Sequence, residues 1–216
     1  MQKKQAKPLA RFKQLSLHGN EIIKVQGESL PHWTCEHAIY HVSFRLADSV
    51  PKQTQQVWIH KRLTILDNAK VQQRPLTSFE HNQLNHLYSQ HIDQYLKAGH
   101  GECYLAKPAI AEIVANALNF FNGQRYILHA WCIMPNHVHV IIEPILTHAL
   151  SDIIHSWKSF TANKANKLLH LNDSFWQKDT YNHIIRSASE YGLQIDYTWE
   201  NPDKAGINNW KWRWKK

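Results

Sequence analysis

The sequence predicts an α+β fold: one mainly antiparallel sheet flanked by helices. Two strand-like stretches, 125–133 and 137–143, are joined only by Met134-Pro135-Asn136, a link short enough to imply a hairpin. Apolar stripes at helical spacing separate the remaining strand candidates, so the elements do not alternate as in a parallel sheet. Nine Trp, eight Tyr and seven Phe in 216 residues supply the bulk for a real core and exclude a disordered chain.

Taken in order, residues 1 to about 30 carry Lys3, Lys4, Lys7, Arg11, Lys13 and Lys24 against only Glu21 and Glu28. No apolar periodicity persists there, which predicts a mobile basic arm. Ala38-Ile-Tyr-His-Val-Ser-Phe-Arg-Leu46 reads as a strand, stopped by Asp48-Ser49-Val50-Pro51. Helices are predicted over 52–65 and 78–98, the second carrying Leu84, Leu87, Tyr88, His91, Ile92 and Tyr95 and ending at Gly99-His100-Gly101. Lys107-Pro108 opens another helix, with a stripe of Ile110, Ile113, Val114, Ala117, Leu118 and Phe121 closed by Asn122-Gly123. After the hairpin come a helix at 149–169 and one at 187–200, the latter ending before Asn201-Pro202. Trp210-Lys-Trp-Arg-Trp214 is the last strand candidate. The stripes are core faces rather than cofactor sites.

Composition narrows the partners. Lys and Arg number 25 against 17 acids, a net charge of +8 with 16 His besides, which favours polyanions and excludes an acidic-substrate trap. Cys35, Cys103 and Cys132 are odd in number and form no CxxC, so a reducing compartment is expected. The basic N-terminal stretch lacks a signal-length apolar run, and no stretch approaches a membrane span. The expectation is a soluble cytoplasmic protein with no membrane partner.

The chemistry-bearing stretch is Trp131-Cys-Ile-Met-Pro-Asn-His137-Val-His139-Val140. Residues two apart on a strand leave the same face, so His137 and His139 can converge on one divalent ion. Neutral imidazoles suit such an ion, and two of them leave positions open for substrate oxygens. Equally, in a chain with 16 His the pair can simply line a polar sheet face.

The strings MPNHVHVIIEP, FWQKDTYNHIIR and DYTWENPDKAGI resemble the REP-associated tyrosine transposases, within the His-hydrophobe-His (HUH) single-tyrosine endonucleases. AIYHVSFRLADSVP and HAWCIMPNHVHV are similar to that family's opening strand and metal strand. The resemblance spans residues 31–207, leaving 1–30 as the arm and 208–216 as a Trp/Lys/Arg-rich tail. It implies a ferredoxin-like antiparallel sheet and a metal-dependent enzyme that nicks and joins single-stranded DNA at hairpin or palindromic repeats. It implies Mg²⁺ or Mn²⁺ as cofactor, His137 and His139 as ligands and Tyr197 as nucleophile, forming a 5′-phosphotyrosine. Asn201, one helical turn on and on the same face, is implied as third ligand. The expected partner is single-stranded or hairpin DNA, and the expected assembly is a monomer or homodimer.

Tyrosine needs help to ionise at neutral pH, and a cation beside the phosphate offsets repulsion of the attacking oxygen. Tyr191 and Tyr181 are rivals; six helical residues turn about 600°, so Tyr191 points away from the face of Tyr197. Against the family's usual wording stand Thr198, Trp199 and Asp203, and Asp196 sets a negative charge beside Tyr197. A second class is a domesticated DNA-binding protein that keeps the fold without cleavage. A third, a His-rich zinc hydrolase, lacks the H-E-x-x-H general base and paired Cys ligands.

The tail alternates Trp210, Lys211, Trp212, Arg213 and Trp214. As a strand it sets indoles on one face and cations on the other, either a stacking platform for single-stranded bases or a cover for the core. Lys158, beside Trp157, is a further DNA-contact candidate; with Lys164 and Lys167 it also reads as solvated-face charge.

Overall fold

The computed structural model describes residues 24–26, 32–34, 38–86, 93–145 and 147–216. A two-stranded antiparallel ribbon pairs β1 (Lys24–Gln26) with β2 (His32–Thr34). The remainder of the basic arm, residues 1–23 and 27–30, lies outside the described residues. The main sheet contains β3 (Ile39–Arg45), β4 (Tyr126–Ile133), β5 (His137–Pro144), β6 (Tyr181–Ile185) and β7 (Arg213–Lys215). Its order is β6-β3-β5-β4-β7, and every neighbouring pair is antiparallel, as the sequence predicts.

Among the described residues six α-helices accompany it: α1 (Lys52–Val71), α2 (Ser78–His86), α3 (Asp93–Lys97), α4 (Pro108–Phe120), α5 (Leu150–Leu169) and α6 (Ala188–Lys204). The helix predicted over 78–98 is represented by α2 and α3, with 87–92 outside the described residues. Among the described residues no helix is long and apolar enough to cross a membrane.

Period-2 alternation gives the sheet two unlike faces. Tyr40, Val42, Phe44, Trp131, Ile133, Val138, Val140 and Ile142 point to one side. There they meet α4 (Ile110, Val114, Leu118) and α5 (Ile153, Ile154, Trp157) in the main core. The Tyr126 hydroxyl knits this layer, donating to the Leu118 carbonyl (2.8 Å) and accepting from Trp157 Nε1 (3.0 Å). The other side carries His41, Ser43, Arg45, His137 and His139, with Ile39 and Ile141 toward one end. Helix α6 closes that end through Ala188, Tyr191 and Ile195, packed on Ile39, Ala130, Ile141 and Ile185.

Local chemistry sets the joints. Pro108 begins α4, where its missing N–H is no loss. Gly123 takes φ +83° after that helix, and its N–H bonds the Tyr126 carbonyl at 2.7 Å to turn the chain into β4. Ser187 caps α6 by accepting from the Glu190 N–H, while Glu190 reaches back to the Arg186 N–H.

Three elements depart from expectation, the first being α1, which continues past 65 to Val71. Helix α6 does not stop at Asn201-Pro202 but runs through to Lys204. Both residues are buried, and the Ala205 N–H still closes on the Asn201 carbonyl at 3.1 Å, so packing outweighs the lost proline donor. Strand β6 is not foreseen at all; five residues at a sheet edge carry too little period to announce themselves.

The tail resolves in favour of a cover. β7 pairs with β4, and Trp212 and Trp214 pack against the main core. Trp210 donates its indole N–H to the Ile133 carbonyl (2.6 Å), whose own N–H bonds the Trp212 carbonyl (2.9 Å). Arg213 and Lys215 lie on the opposite side, against α6. Trp214→Ala should therefore destabilise the fold by about 2–4 kcal/mol and lower the melting temperature by roughly 4–12 °C. Melting indistinguishable from wild type would remove the indole from the core.

Candidate functional site

The site is the polar side of β3 and β5 with the second half of α6 laid across it. His137 and His139 leave β5 on the same face, fully or almost fully buried, with ring centroids 4.8 Å apart. Ser43 sits opposite His139 and Arg45 opposite His137, so facing residues of β3 share this surface.

The orientation of His137 follows from Asn136. The Asn136 side-chain NH₂ donates to the carbonyls of Leu96 (3.1 Å) and His100 (3.0 Å). With its nitrogen committed, Oδ1 is left as the acceptor that meets His137 Nδ1 at 2.7 Å. His137 therefore carries its proton on Nδ1 and its lone pair on Nε2.

His139 is held from both sides. Its Nδ1 lies 3.1 Å from His41 Nε2, and its Nε2 lies 3.3 Å from Asn201 Nδ2. With the Asn201 amide donating, Nε2 is the acceptor and Nδ1–H donates to His41. Both imidazoles of the His-x-His pair then carry their lone pairs on Nε2.

Helix α6 delivers the remaining groups. Tyr197 sets its ring 5.5 Å from that of His139 and 5.9 Å from that of His41, edge-on to both. The ammonium of Lys97, on α3, lies 5.1 Å from the Tyr197 centroid, and that of Lys204 lies 5.7 Å away. Asn201 is fully buried one turn later. Because α6 continues through Pro202, Tyr197 and Asn201 stay on the same face and reach the same imidazole.

A divalent ion fits this donor set. Asn201 Oδ1 is buried with no hydrogen-bond partner, and a half-turn of its amide exchanges Oδ1 with the Nδ2 that now faces His139. Two imidazole nitrogens and an amide oxygen form an ordinary borderline-metal set with positions left for substrate. Among the described residues no cluster of three or more His, Cys, Asp or Glu stands ready as an alternative cage.

The rival tyrosines occupy other places. Tyr191 is anchored to His129, its hydroxyl 2.9 Å from Nδ1, at a β-bulge that turns His129 toward α6. His129 Nε2 in turn approaches the buried Glu143 carboxylate at 3.4 Å. Burial, with Glu143 nearby, pushes the Tyr191 phenol above its ordinary range. Tyr181, on β6, meets His41 at 6.3 Å. Asp196 is exposed and faces Lys215 at 3.8 Å, so its charge is directed toward β7.

The other DNA-contact candidates have partners within the fold. Arg213 bonds the Trp199 carbonyl (2.8 Å) and Asp203 (2.5 Å), and Arg213 and Lys215 flank the Trp199 ring, clamping α6 to β7. Lys211 lies over Trp212 at 4.7 Å. The Lys158 ammonium donates to the carbonyls of Gln177 (2.7 Å) and Lys178 (2.9 Å) and to Thr180 Oγ1 (3.2 Å), tying down the loop before β6.

Sequence reasoning missed His41, Asn136 and Lys97. His41 carried a usable signal, since the alternation of Ile39–Arg45 puts it on the polar face; Asn136 and Lys97 depend on contacts remote in sequence.

Comparison with known proteins agrees over part of the chain. The model of the IS200-like transposase family matches residues 106–191, which include His137 and His139 and end before Tyr197. The match falls within the stretch over which the sequence resembles such transposases. A solved structure, that of a REP-associated tyrosine transposase bound to a REP hairpin, is similar at 15% identity with a TM-score of 0.44. The alignment covers 84% of this chain and 76% of that one. No curated protein matches.

Burial lowers the Lys158 ammonium to about 8, with Asp179 opposing the shift and Arg45 adding to it. Between about pH 8 and the ordinary lysine range the unfolded chain binds more protons than the folded one, so stability rises with pH through this group. The melting temperature of wild type relative to Lys158→Met should therefore climb from pH 7.5 to 10. A flat or falling difference would contradict the burial of this charge.

Proposed function

We propose that this chain, which matches the IS200-like transposase family model over residues 106–191, is a metal-dependent enzyme that nicks and rejoins single-stranded DNA at hairpin or palindromic repeats. The observation that carries the reading is the meeting of Tyr197 and Asn201 on one imidazole. His139 has the Tyr197 ring at 5.5 Å and the Asn201 amide at 3.3 Å. Tyr197 is the nucleophile: its phenol oxygen attacks a backbone phosphorus, the bond to the 3′-oxygen breaks, and that oxygen leaves as a 3′-hydroxyl. The phenol's proton is lost to solvent, and the 5′ end stays on the enzyme as a phosphotyrosine. Attack by the 3′-hydroxyl of another strand reverses the step and joins two strands without nucleotide hydrolysis.

His137, His139 and Asn201 would hold Mg²⁺ or Mn²⁺, which supplies positive charge to the non-bridging phosphate oxygens. Lys97 and Lys204 add positive charge beside the Tyr197 ring, where a phenolate develops. Asn136 and His41 hold the two histidines in orientation. The net charge of +8 draws the strand toward the site.

The test is a denaturing-gel assay with 5′- and 3′-labelled hairpin oligonucleotides in Mg²⁺ or Mn²⁺. Wild type should form a covalent adduct with the 5′-phosphate side of the cut. Tyr197→Phe should bind DNA normally and lose the adduct by at least about 10³-fold, while Tyr191→Phe should retain it. His139→Ala should fail in Mg²⁺ and recover part of its activity in excess Mn²⁺. An adduct on Tyr197→Phe would displace the nucleophile. Tight binding by wild type without any adduct would favour the DNA-binding class without cleavage.

A further inference from the structure

Arg45 ends β3 opposite His137, and opposite residues of an antiparallel pair leave the sheet on the same side. It therefore belongs to the face that carries His41, His137 and His139. It is 94% buried, only 6% of its surface remaining exposed, and its Nε is buried without a hydrogen-bond partner.

The described carboxylates around this face are engaged elsewhere. Glu143 meets His129, Glu190 meets His183, Asp203 meets Arg213, and Asp48 accepts from the Glu102 N–H. Asp179 acts on Arg62 and Lys158, and Arg45 itself repels the Lys158 ammonium. A guanidinium with no ion-pair partner among the described residues is costly to keep in such a place, and replacing a buried ion pair by hydrophobic residues is often neutral or stabilising. Its retention calls for an anion that arrives with the ligand. A guanidinium fork matches the paired oxygens of a phosphate, and it stays charged at any physiological pH.

We propose that Arg45 is a phosphate-binding residue on the floor of the site, taking one backbone phosphodiester of the bound strand beside His137. The inference rests on the nicking reading above and adds a substrate contact to it. No covalent step is involved; the residue positions the strand so that the scissile phosphorus lies over Tyr197. A phosphodiester in the strand and free inorganic phosphate present the same oxygens, so the experiment must separate them.

The experiment compares wild type, Arg45→Met and Arg45→Lys with oligonucleotides bearing one neutral methylphosphonate at successive positions around the cut. For wild type, one position should cost about 10-fold or more in affinity, the scale of one charge-assisted contact. Arg45→Met should bind the unmodified strand with that loss already present and lose nothing further at that position. Arg45→Lys should recover part of the difference. Without DNA, Arg45→Met should melt at or above the wild-type temperature, which a purely structural arginine would not permit.

A methylphosphonate profile unchanged in Arg45→Met would overturn the proposal. So would millimolar phosphate raising the wild-type melting temperature alone, with equal strand affinities, since the anion would then be free phosphate. Should Arg45→Met melt early, the profile of Arg45→Lys decides, and one identical to wild type with undiminished affinity counts against a specific guanidinium contact. If wild type forms the adduct while both variants match it, this inference fails and the nicking reading stands. If wild type binds no single strand, both fail together.

Discussion

The side-chain amide of Asn136 governs the geometry of the site. It is fully buried in the hairpin turn, and its three hydrogen bonds leave no freedom of assignment. The carbonyls of Leu96 in α3 and of His100 just after it claim the nitrogen, so the oxygen must accept from His137. One buried amide thus sets the tautomer of a candidate ligand and ties down the segment that carries Lys97. The backbone of the same turn holds both neighbours, with the Leu46 N–H on the Asn136 carbonyl and the Leu105 N–H on the Pro135 carbonyl. Removing one partner would strand buried donors or acceptors, which costs more than a hydrogen bond ordinarily contributes.

That amide works because the sheet is two-faced. The apolar side satisfies the hydrophobic demand through α4 and α5, so the other side can bury histidines, an arginine and a glutamate. Such groups are tolerable inside a protein when networked. His139 has His41 and Asn201, His129 has Tyr191 and Glu143, and His183 has Glu190 at 2.5 Å. Helix α6 completes these networks, and its cap, its passage through Pro202 and its clamp by Arg213 all bear on where Tyr197 stands. Arg45 departs from the pattern, and the departure gives it meaning.

Much of this was legible from local pattern. Alternation marked β3, β4 and β5, helical stripes marked α4 and α5, and the three-residue turn forced the hairpin. His-x-His on a strand put two candidate ligands on one face, while Tyr197 and Asn201 were singled out by the family resemblance rather than by local pattern. The rest needed the third dimension. β6 is too short to show a period, and although alternation puts His41 on the polar face of β3, only the pairing of β3 with β5 brings it to His139. Asn201-Pro202 reads locally as a helix stop, and only burial of both residues carries α6 onward. The tail indoles alternate equally well for stacking and for packing; their pairing with β4 decides, which no local window contains.

The account's central claim is that His137, His139 and Asn201 form one divalent-cation site beneath Tyr197. Paramagnetic broadening measures this without reliance on turnover. Mn²⁺ is titrated into protein labelled on histidine imidazoles and asparagine side-chain amides, with resonances assigned by single substitution. The account predicts that His137, His139 and Asn201 broaden first and together, with His129 and His183 persisting to higher Mn²⁺. Broadening that begins at His183 beside Glu190, or spreads over all histidines alike, would contradict it.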